Sequence, residues 1–364
     1  MKLNELCSYL DSAVPLSFQE SYDNSGLQVG IPDMVITSAL ITLDVTEDVI
    51  DEAIALKCDI VVSHHPLIFS GIKKISDRTP AEKIIYKCIK HDIAVYSVHT
   101  NLDVYTNGVS RKMAEKLDLK KIKVLLPQEK RLLKLVTYIP VSHLDKVRKA
   151  LFESGAGMIG NYDQCGFVTE GTGSFRGNDS AKPFTGKKGH LNYEKESRFE
   201  TVLFSHLKDK VVSALIDSHP YEEVAYDIYE LENKYSGAGL GCVGEYSEEI
   251  SEKNFIKRVA NVFDAKGIRF SRLSGGKIRK VALCGGSGIS LLPVAIASGA
   301  DAFVTADIKY HNFFDADDKI LLVDAGHFET EKFSSEILKD LIKKKFPKFA
   351  VRFSETNTNP INYL

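Results

Sequence analysis

The sequence predicts an α/β protein with two similar three-layer α/β/α core units and an inserted α+β domain. Three observations support this fold class: a length of 364 residues, short apolar strands that alternate with helices at both ends of the chain, and a different, glycine-rich pattern between them. A chain of this length usually exceeds what one hydrophobic core supports. We therefore expect a discontinuous core, residues 1–126 and 239–364, interrupted by a domain over residues 127–238.

The first 126 residues alternate between predicted strands and helices. MVITSALITLDV is a predicted strand, and Thr46 is the expected N-cap of the helix EDVIDEAIALK, whose first turn is acidic. CDIVVSHHP and DIAVYSVHTNLD are the next strands, separated by the helix TPAEKIIYKCIKH, which has a proline in its first turn. This alternation favours a largely parallel sheet that is covered on both faces.

The last part of the chain, from residue 239, repeats this pattern. LKCDIVVSHHPLIF parallels ASGADAFVTADIKYH, and KHDIAVYSVHTNLDV parallels DDKILLVDAGHFETE. Two α/β units of one topology would explain the similarity. The alternative is that short βα units look alike without a duplication.

Residues 127–238 break the alternation. They contain the predicted strand LLKLVTYIP, a helix, a polar stretch GNYDQCGFVTEGTGSFRGNDSAKPFTGKKG, the strand ETVLFSHL, a second helix and the strand AYDIYEL. The glycine-rich polar stretch is predicted to be a loop. The resulting order is close to a ferredoxin-like unit.

Composition argues against several functional classes. The net charge of −2 provides no global field for nucleic acid or an acidic membrane. The N-terminus lacks the apolar core of a signal peptide, and no apolar run reaches the roughly 18 residues of a membrane span. The six cysteines form no CxxC pair. They are predicted to be buried free thiols of a cytoplasmic protein.

Two adjacent histidines, His64 and His65, follow a predicted buried strand. In open α/β sheets, ligands bind beyond the carboxyl ends of the strands. Because neighbouring residues of a strand point to opposite faces, we expect the two imidazoles to diverge and to serve two ions. The alternative is an ordinary polar pair that caps a strand.

Two more clusters follow predicted buried strands. HTNLD supplies His99 and Asp103, and GHFETE supplies His327 and Glu331, which would share one face of a helix. Glu329 would then point elsewhere, as a solvated acid. Three such clusters predict a metal site. Nitrogen and oxygen ligands suit zinc, manganese, iron, cobalt or nickel, and two divalent ions with a bridging carboxylate fit five ligands better than one tetrahedral zinc does.

Two other stretches have alternative interpretations. CGGSG lies between a strand and a helix, where its amides would hold a phosphate or only form a tight turn. SHPYEEVAYDIY contains His219, Glu222 and Glu223, which would form a second metal site or a polar turn. We favour the turn because Pro220 restricts the backbone there.

These motifs together resemble the Nif-three-like family, often labelled GTP cyclohydrolase 1 type 2 homologue. The matching stretches, in the order of the family, are YDNSGLQVG, SHHPLIF, HTNLD, CGGSG, TADIKYH and DAGHFETE. The middle segment, with ESGAGMIGNYDQCGFVTEGTGSFRG and HPYEE, resembles the longer bacterial members. One departure is Ala306 in TADIKYH, where the family usually has glycine.

The resemblance implies a dinuclear metal centre in the cleft of the core and a ring-shaped homohexamer. The metal ligands that it implies, with Glu331 bridging, are His64, His65, Asp103, His327 and Glu331. His99 is then a candidate for proton transfer, or for a hydrogen bond that orients Asp103.

The leading functional hypothesis is a metal-dependent hydrolase. Metal-bound hydroxide would attack a nucleotide-like or cyclic amidine substrate, such as the imidazole ring of GTP. Basic side chains of the inserted domain would meet phosphates, although such loops are more often solvated; they are Arg176, Lys182, Lys187 and Lys188. The alternatives are a metal-stabilised hexameric ring that binds a regulatory partner and, disfavoured by the near-neutral charge, a nucleic-acid-binding ring. A membrane partner is not expected.

Overall fold

The computed structural model describes residues 1–129, 131–233 and 235–363. The chain divides into two compact units: a larger one, Met1–Pro127 with Ser236–Leu364, and a smaller one, Gln128–Tyr235. Among the described residues, no helix is both long enough and apolar enough to cross a membrane.

Strands and helices alternate along most of the described chain. The strands are β1 (Gly26–Val29), β2 (Ser38–Thr42), β3 (Ile60–Ser63), β4 (Ala94–Ser97), β5 (Lys120–Gln128), β6 (Leu132–Pro140), β7 (Gly166–Phe175), β8 (Asn192–Phe204), β9 (Tyr226–Leu231), β10 (Tyr235–Ser251), β11 (Arg269–Phe270), β12 (Lys277–Leu283), β13 (Ala302–Thr305), β14 (Leu321–Asp324) and β15 (Ala350–Phe353). The α-helices are α1 (Leu3–Ala13), α2 (Glu47–Ala55), α3 (Pro80–Lys90), α4 (Thr100–Val104), α5 (Val109–Lys116), α6 (Leu144–Glu153), α7 (Lys208–Ser218), α8 (Glu252–Phe263), α9 (Leu292–Ala297), α10 (His327–Glu331) and α11 (Ser334–Lys345). The predicted mixed α/β class is therefore confirmed.

The helix starts show how local sequence determines these boundaries. Thr46 caps α2, where its hydroxyl accepts the Val49 N–H at 3.3 Å, as the sequence predicts. Thr79 caps α3 in the same way, and Pro80 occupies the first helical position, where no N–H partner is needed.

The first sheet of the larger unit has the strand order β1-β4-β3-β2-β15. Strands β15, β2, β3 and β4 are parallel to their neighbours, and β1 pairs antiparallel with β4. Strands β3 and β4 are buried along their whole length, as is typical of strands with both faces covered. The segments that follow β2, β3 and β4 therefore leave the same edge of the sheet.

The second sheet of the larger unit has the order β11-β14-β13-β12-β10-β5. Its strands β12, β13 and β14 are parallel, while β11 and β10 pair antiparallel with β14 and β12. The segments that follow β12, β13 and β14 again leave one edge of the sheet.

One hydrophobic core joins both sheets of the larger unit. Ile41 and Tyr96 of the first sheet belong to the same buried cluster as Val304 and Val323 of the second, together with side chains of α1, α5, α8 and α11. Helices α2 and α3 cover the other face of the first sheet, and α9 covers that of the second. Each fully buried aliphatic or aromatic side chain contributes roughly 1.5–3 kcal/mol to the stability of the fold. This core therefore holds the carboxyl ends of the parallel strands of both sheets in place.

The smaller unit contains an antiparallel sheet of order β7-β8-β6-β9, against which α6 and α7 pack. The sequence predicts a loop where the structure has β7, which pairs with β8 from Gly166 to Phe175. Strand β7 lies at the sheet edge and is mostly exposed. Its side chains therefore lack the alternation of apolar and polar residues that reveals a half-buried strand.

Candidate metal centre

The histidine and carboxylate clusters found in the sequence come together at the strand ends of the larger unit. His64 and His65 follow β3, His99 and Asp103 follow β4, and His327 and Glu331 follow β14. The ring centroid of His65 lies 5.1 Å from that of His64, 5.3 Å from that of His99 and 5.4 Å from that of His327. Residues from two sheets therefore share one site.

Glu331 contacts imidazoles from both sheets. Its Oε2 lies 2.9 Å from Nε2 of His65, 2.9 Å from Nε2 of His327 and 3.9 Å from Nε2 of His64. His327 and Glu331 are four residues apart in α10 and share one helix face, as the sequence predicts. The prediction that Glu329 is solvated is wrong, because Glu329 is buried and accepts a hydrogen bond from Asn359.

The imidazoles of His64 and His65 do not diverge as the sequence analysis expects. Among the described residues, ligand atoms of His64, His65 and Glu331 lie within 4.8 Å of one another. Both histidines come after the last residue of β3, Ser63, so the alternation of a strand no longer applies to them. They can approach the same carboxylate.

The Nδ1 atom of each of the four imidazoles contacts a carboxylate or carbonyl oxygen. The Nδ1 contacts are His65 to Asp44 Oδ1 at 2.7 Å, His99 to Asp23 Oδ1 at 2.7 Å, His327 to Asp307 Oδ2 at 2.7 Å and His64 to the Val98 carbonyl oxygen at 2.8 Å. A carbonyl or carboxylate accepts the Nδ1 proton, so Nε2 is the ring atom that each imidazole can offer to a metal. This second layer of acceptors is typical of histidines that bind metals.

Sequence reasoning missed the three carboxylates in this layer. Asp44 lies two residues after the end of β2 and Asp307 two residues after the end of β13, so their positions near strand ends were the available signal. Asp23 lies in the segment YDNSGLQVG before β1. It also accepts hydrogen bonds from the backbone N–H of Thr100 at 3.0 Å and the hydroxyl of Ser25 at 3.0 Å.

Hydrogen bonds between Glu331 and two histidines shift the pKa values of all three groups. Burial would raise the pKa of Glu331, but hydrogen bonds from His327 and His65 outweigh burial and hold this pKa below its usual range. Burial would lower the pKa of His65, but Asp44 and Glu331 outweigh it and raise the pKa to about 9. The pKa of His327 rises to about 10 in the same way, through Asp307 and Glu331. A cation that bound Nε2 of His65 and of His327 would displace the protons that these nitrogens share with Glu331.

Two further atoms fit a cation because they have no other partner. His64 Nε2 and Asp103 Oδ1 lie 3.6 Å apart, are buried, and have no hydrogen-bond partner among residues 1–129, 131–233 and 235–363. Burial lowers the pKa of His64 to about 3, so its ring is neutral. Burial, with the neighbouring Glu331, raises the pKa of Asp103 well above its usual value. An unsatisfied buried polar atom costs roughly 1–3 kcal/mol, which a bound cation would remove.

The CGGSG segment after β12 does not offer its amides to a phosphate. Three of its N–H groups already donate to hydroxyls: Gly285 to Ser110 at 3.3 Å, Gly286 to Thr330 at 3.0 Å and Gly288 to Thr305 at 2.8 Å. The structure favours the tight-turn interpretation. The turn also packs against the centre, since a Cβ on Gly286 would lie 2.0 Å from Oε1 of Glu331.

Gly286→Ala is expected to displace Glu331 and to weaken Zn²⁺ or Mn²⁺ binding by about 10–100-fold, the usual effect of disturbing a group that orients a ligand. Isothermal titration calorimetry measures this affinity. Gly299→Ala is the matched control because Gly299 also has positive φ, +72° against +59°, but no atom of the described residues lies within 4 Å of its Cβ position. Equal affinities of the two variants would contradict the prediction.

The segment after β15 supports Asp44. The Thr358 hydroxyl donates to Asp44 Oδ2 at 2.7 Å, so Asp44 is held by Thr358 through one oxygen and by His65 through the other. The preceding Thr356 instead donates to Glu52 at 2.7 Å.

Thr358→Val is expected to weaken metal binding by about 10-fold, because Asp44 would lose one of the two contacts that orient it toward His65. Thr358→Ser should restore the affinity, and Thr356→Val, which disturbs the same segment without touching Asp44, should leave it unchanged. Calorimetric titration of the four proteins with Zn²⁺ checks the order. A serine variant no better than valine would refute the positioning role.

His219 has a structural environment in the smaller unit. Its Nε2 lies 3.1 Å from the Tyr138 carbonyl oxygen, and its Nδ1 accepts the Tyr221 N–H at 3.1 Å. Both ring nitrogens are therefore used within the protein. This favours the polar-turn interpretation of SHPYEE.

The fold and the site define a mixed α/β protein with a histidine–carboxylate cluster at the carboxyl ends of parallel strands. The family model described as Duf34/NIF3 (NGG1p interacting factor 3) matches residues 1–360. The GTP cyclohydrolase 1 type 2 homolog of Bacillus subtilis is 42% identical over 360 residues, covering 96% of this chain and 95% of that protein. The chain belongs to the Duf34/NIF3 family, and the family resemblance seen in the motifs is confirmed.

Solved structures agree with this assignment. A crystal structure of a Bacillus cereus protein related to NIF3 matches with a TM-score of 0.85 and 39% identity, covering 100% of this chain and 99% of that one. The crystal structure of a Staphylococcus aureus protein matches with a TM-score of 0.80 and 31% identity over the same shares of the two chains.

Proposed function

We propose that this protein binds two divalent metal ions and hydrolyses a nucleotide-like or cyclic amidine substrate. The proposed ligands are His64, His65, Asp103, His327 and Glu331, with Glu331 shared between the ions. When bound, such a metal pair supplies Lewis acidity and an activated water. The observation that supports the proposal most is that each of the four clustered imidazoles has an oxygen acceptor at Nδ1, as histidines that bind metals through Nε2 do.

We assign proton transfer to His99. Its Nδ1 proton is held by Asp23, which leaves Nε2 free to accept a proton from water or to return one to a leaving group. The side chain of Asp23 is completely buried, so this pair is fixed in position. Because the His99 ring bonds Asp23 and Asp103 Oδ1 has no hydrogen-bond partner among the described residues, the contacts favour proton transfer over the orienting role.

Chelation and metal return test the proposal. Protein treated with EDTA, then reloaded with Zn²⁺ or Mn²⁺, is assayed on GTP and on a panel of cyclic amidines, with His65→Ala as the inactive control. Hydrolysis that disappears with EDTA and returns with metal is the expected result. Metal-loaded protein that hydrolyses nothing in the panel would instead favour a binding or regulatory role, and activity that EDTA leaves intact would exclude the proposed centre.

We further propose that the larger unit is a duplication. In both sheets a parallel strand is followed by a short helix with a histidine and a carboxylate four residues apart: β4 with His99 and Asp103, and β14 with His327 and Glu331. The strand order of the smaller unit supports a ferredoxin-like inserted domain. The homohexameric ring and the cytoplasmic location stay predictions from the sequence.

Excision of the smaller unit is expected to leave the larger one folded and able to bind metal. The two ends are close, since the Cβ position of Gly239 is 2.8 Å from the Cα of Pro127, so a short Gly/Ser linker can join Pro127 to Ala238. Circular dichroism during heating and Zn²⁺ titration check the shortened chain. Aggregation, or loss of zinc binding, would show that the inserted segment is not a separate domain.

A further inference from the structure

Two exposed aromatic side chains lie beside the candidate metal centre. The ring centroids of Tyr22 and Phe69 are 6.4 Å apart, and that of Phe69 is 6.2 Å from the imidazole of His99. Tyr22 is 63% exposed and Phe69 is 50% exposed. At least half of each side chain therefore makes no contribution to the hydrophobic core.

Two side-chain amides link the segments that carry these two rings. Asn24 Nδ2 donates to the Ile68 carbonyl at 2.6 Å, and the Ile68 N–H donates to Gln28 Oε1 at 3.0 Å. The neighbour of Phe69 is thus attached to the segment that carries Tyr22. That segment also carries Asp23, which holds His99. A ligand that contacts the pair meets a surface already positioned relative to His99, which lowers the entropy lost on binding.

We propose that Tyr22 and Phe69 form a stacking surface for a planar, unsaturated ring of the substrate. Stacking requires a flat π-face and tolerates differences in ring substituents, so the pair would select the class of ring rather than one compound. The size of the surface fits a small molecule: two side chains match one heteroaromatic ring, whereas a stable protein interface takes about 800 Å² from each partner. An occupant in this position would lie against the group assigned to proton transfer. The inference rests on the proposed function and extends it by assigning two side chains to the ring of its substrate.

Binding of adenosine, guanosine and uridine to the full-length, Zn²⁺-loaded protein tests this inference by calorimetry. Tyr22→Ala and Phe69→Ala are each expected to raise the dissociation constants by about 5–150-fold, the effect of losing one base–aromatic contact. Tyr22→Phe should bind like the parent protein, because it keeps the ring. Tyr86→Ala is the matched control, since Tyr86 is 60% exposed on α3 and should not affect binding.

Phe69→Leu separates stacking from general hydrophobic contact. Leucine keeps an apolar side chain but has no π-face, so the nucleosides should again bind more weakly, while zinc content measured by plasma emission stays at the parental level. Dissociation constants equal to those of Tyr86→Ala, or no nucleoside binding by the parent protein, would overturn the inference. Because binding is measured apart from turnover, a protein that stacks nucleosides but hydrolyses nothing would refute the proposed reaction and retain the stacking surface.

Discussion

Replacing Glu331 with glutamine is expected to abolish tight metal binding, with an affinity loss of at least about 100-fold, beyond the usual effect of residues that only orient a ligand. The substitution keeps the size of the side chain but removes its negative charge. One oxygen of Glu331 lies 2.9 Å from His65 and 2.9 Å from His327, so the carboxylate balances charge for both sheets of the site. Titration calorimetry with Zn²⁺ and Mn²⁺ measures the loss, and plasma emission measures the metals retained.

Glu329→Gln is the matched control for this experiment. Glu329 is also buried in α10, only two residues away, but it contacts Asn359 instead of a histidine of the centre. This variant should bind metal with an affinity close to that of the parent protein. If Glu331→Gln bound metal as tightly as Glu329→Gln, Glu331 could not be the shared ligand.

Replacing His99 with asparagine is expected to lower turnover by roughly 10²–10⁴-fold while metal content stays at the parental level, the scale of general acid–base catalysis. Asparagine fills part of the same space but cannot accept and return a proton near neutral pH. Asp23→Asn should also lower turnover, because an uncharged amide, which can donate as well as accept, would hold the Nδ1 proton of His99 less firmly. Turnover on the substrate found by the activity screen, measured beside metal content, checks both variants.

Turnover measured at two metal concentrations distinguishes proton transfer by His99 from a role in keeping the metal bound. If His99 only kept a ligand in place, turnover of His99→Asn would recover at high Zn²⁺ or Mn²⁺. Recovery would therefore refute proton transfer. His91→Asn, at the exposed C-terminal end of α3, is a control for the loss of a histidine elsewhere and should leave turnover unchanged.

Sequence patterns were sufficient to predict the α/β class and the clusters of the site. Strands such as β3 and β4 are continuous apolar runs because both of their faces are buried, and their neighbouring helices begin at residues such as Thr46 that cap them locally. Parallel strands bring their carboxyl ends to one edge. Polar residues immediately after several such strands are therefore expected to meet.

The partners of the histidines could not be predicted from spacing. Asp44 and His65 are 21 residues apart, Asp23 and His99 are 76 apart, and each pair comes from different segments. Thr358 reaches Asp44 across 314 residues of sequence. A hydrogen bond depends on distance and direction in three dimensions, and no periodicity of the chain encodes such a pairing.

The sequence by itself thus determined the class of fold, the family and the clusters of potential ligands, because these depend on local hydrophobic patterns and compact motifs. Tertiary structure alone decided that His64 and His65 approach one carboxylate, that β7 is an edge strand and that Gly286 must lack a side chain. The physical reason is that each of these features depends on packing between segments distant in the chain. The histidines meet Glu331 because two sheets come together, β7 forms because it pairs with β8, and Gly286 has no room for a side chain because Glu331 approaches it closely.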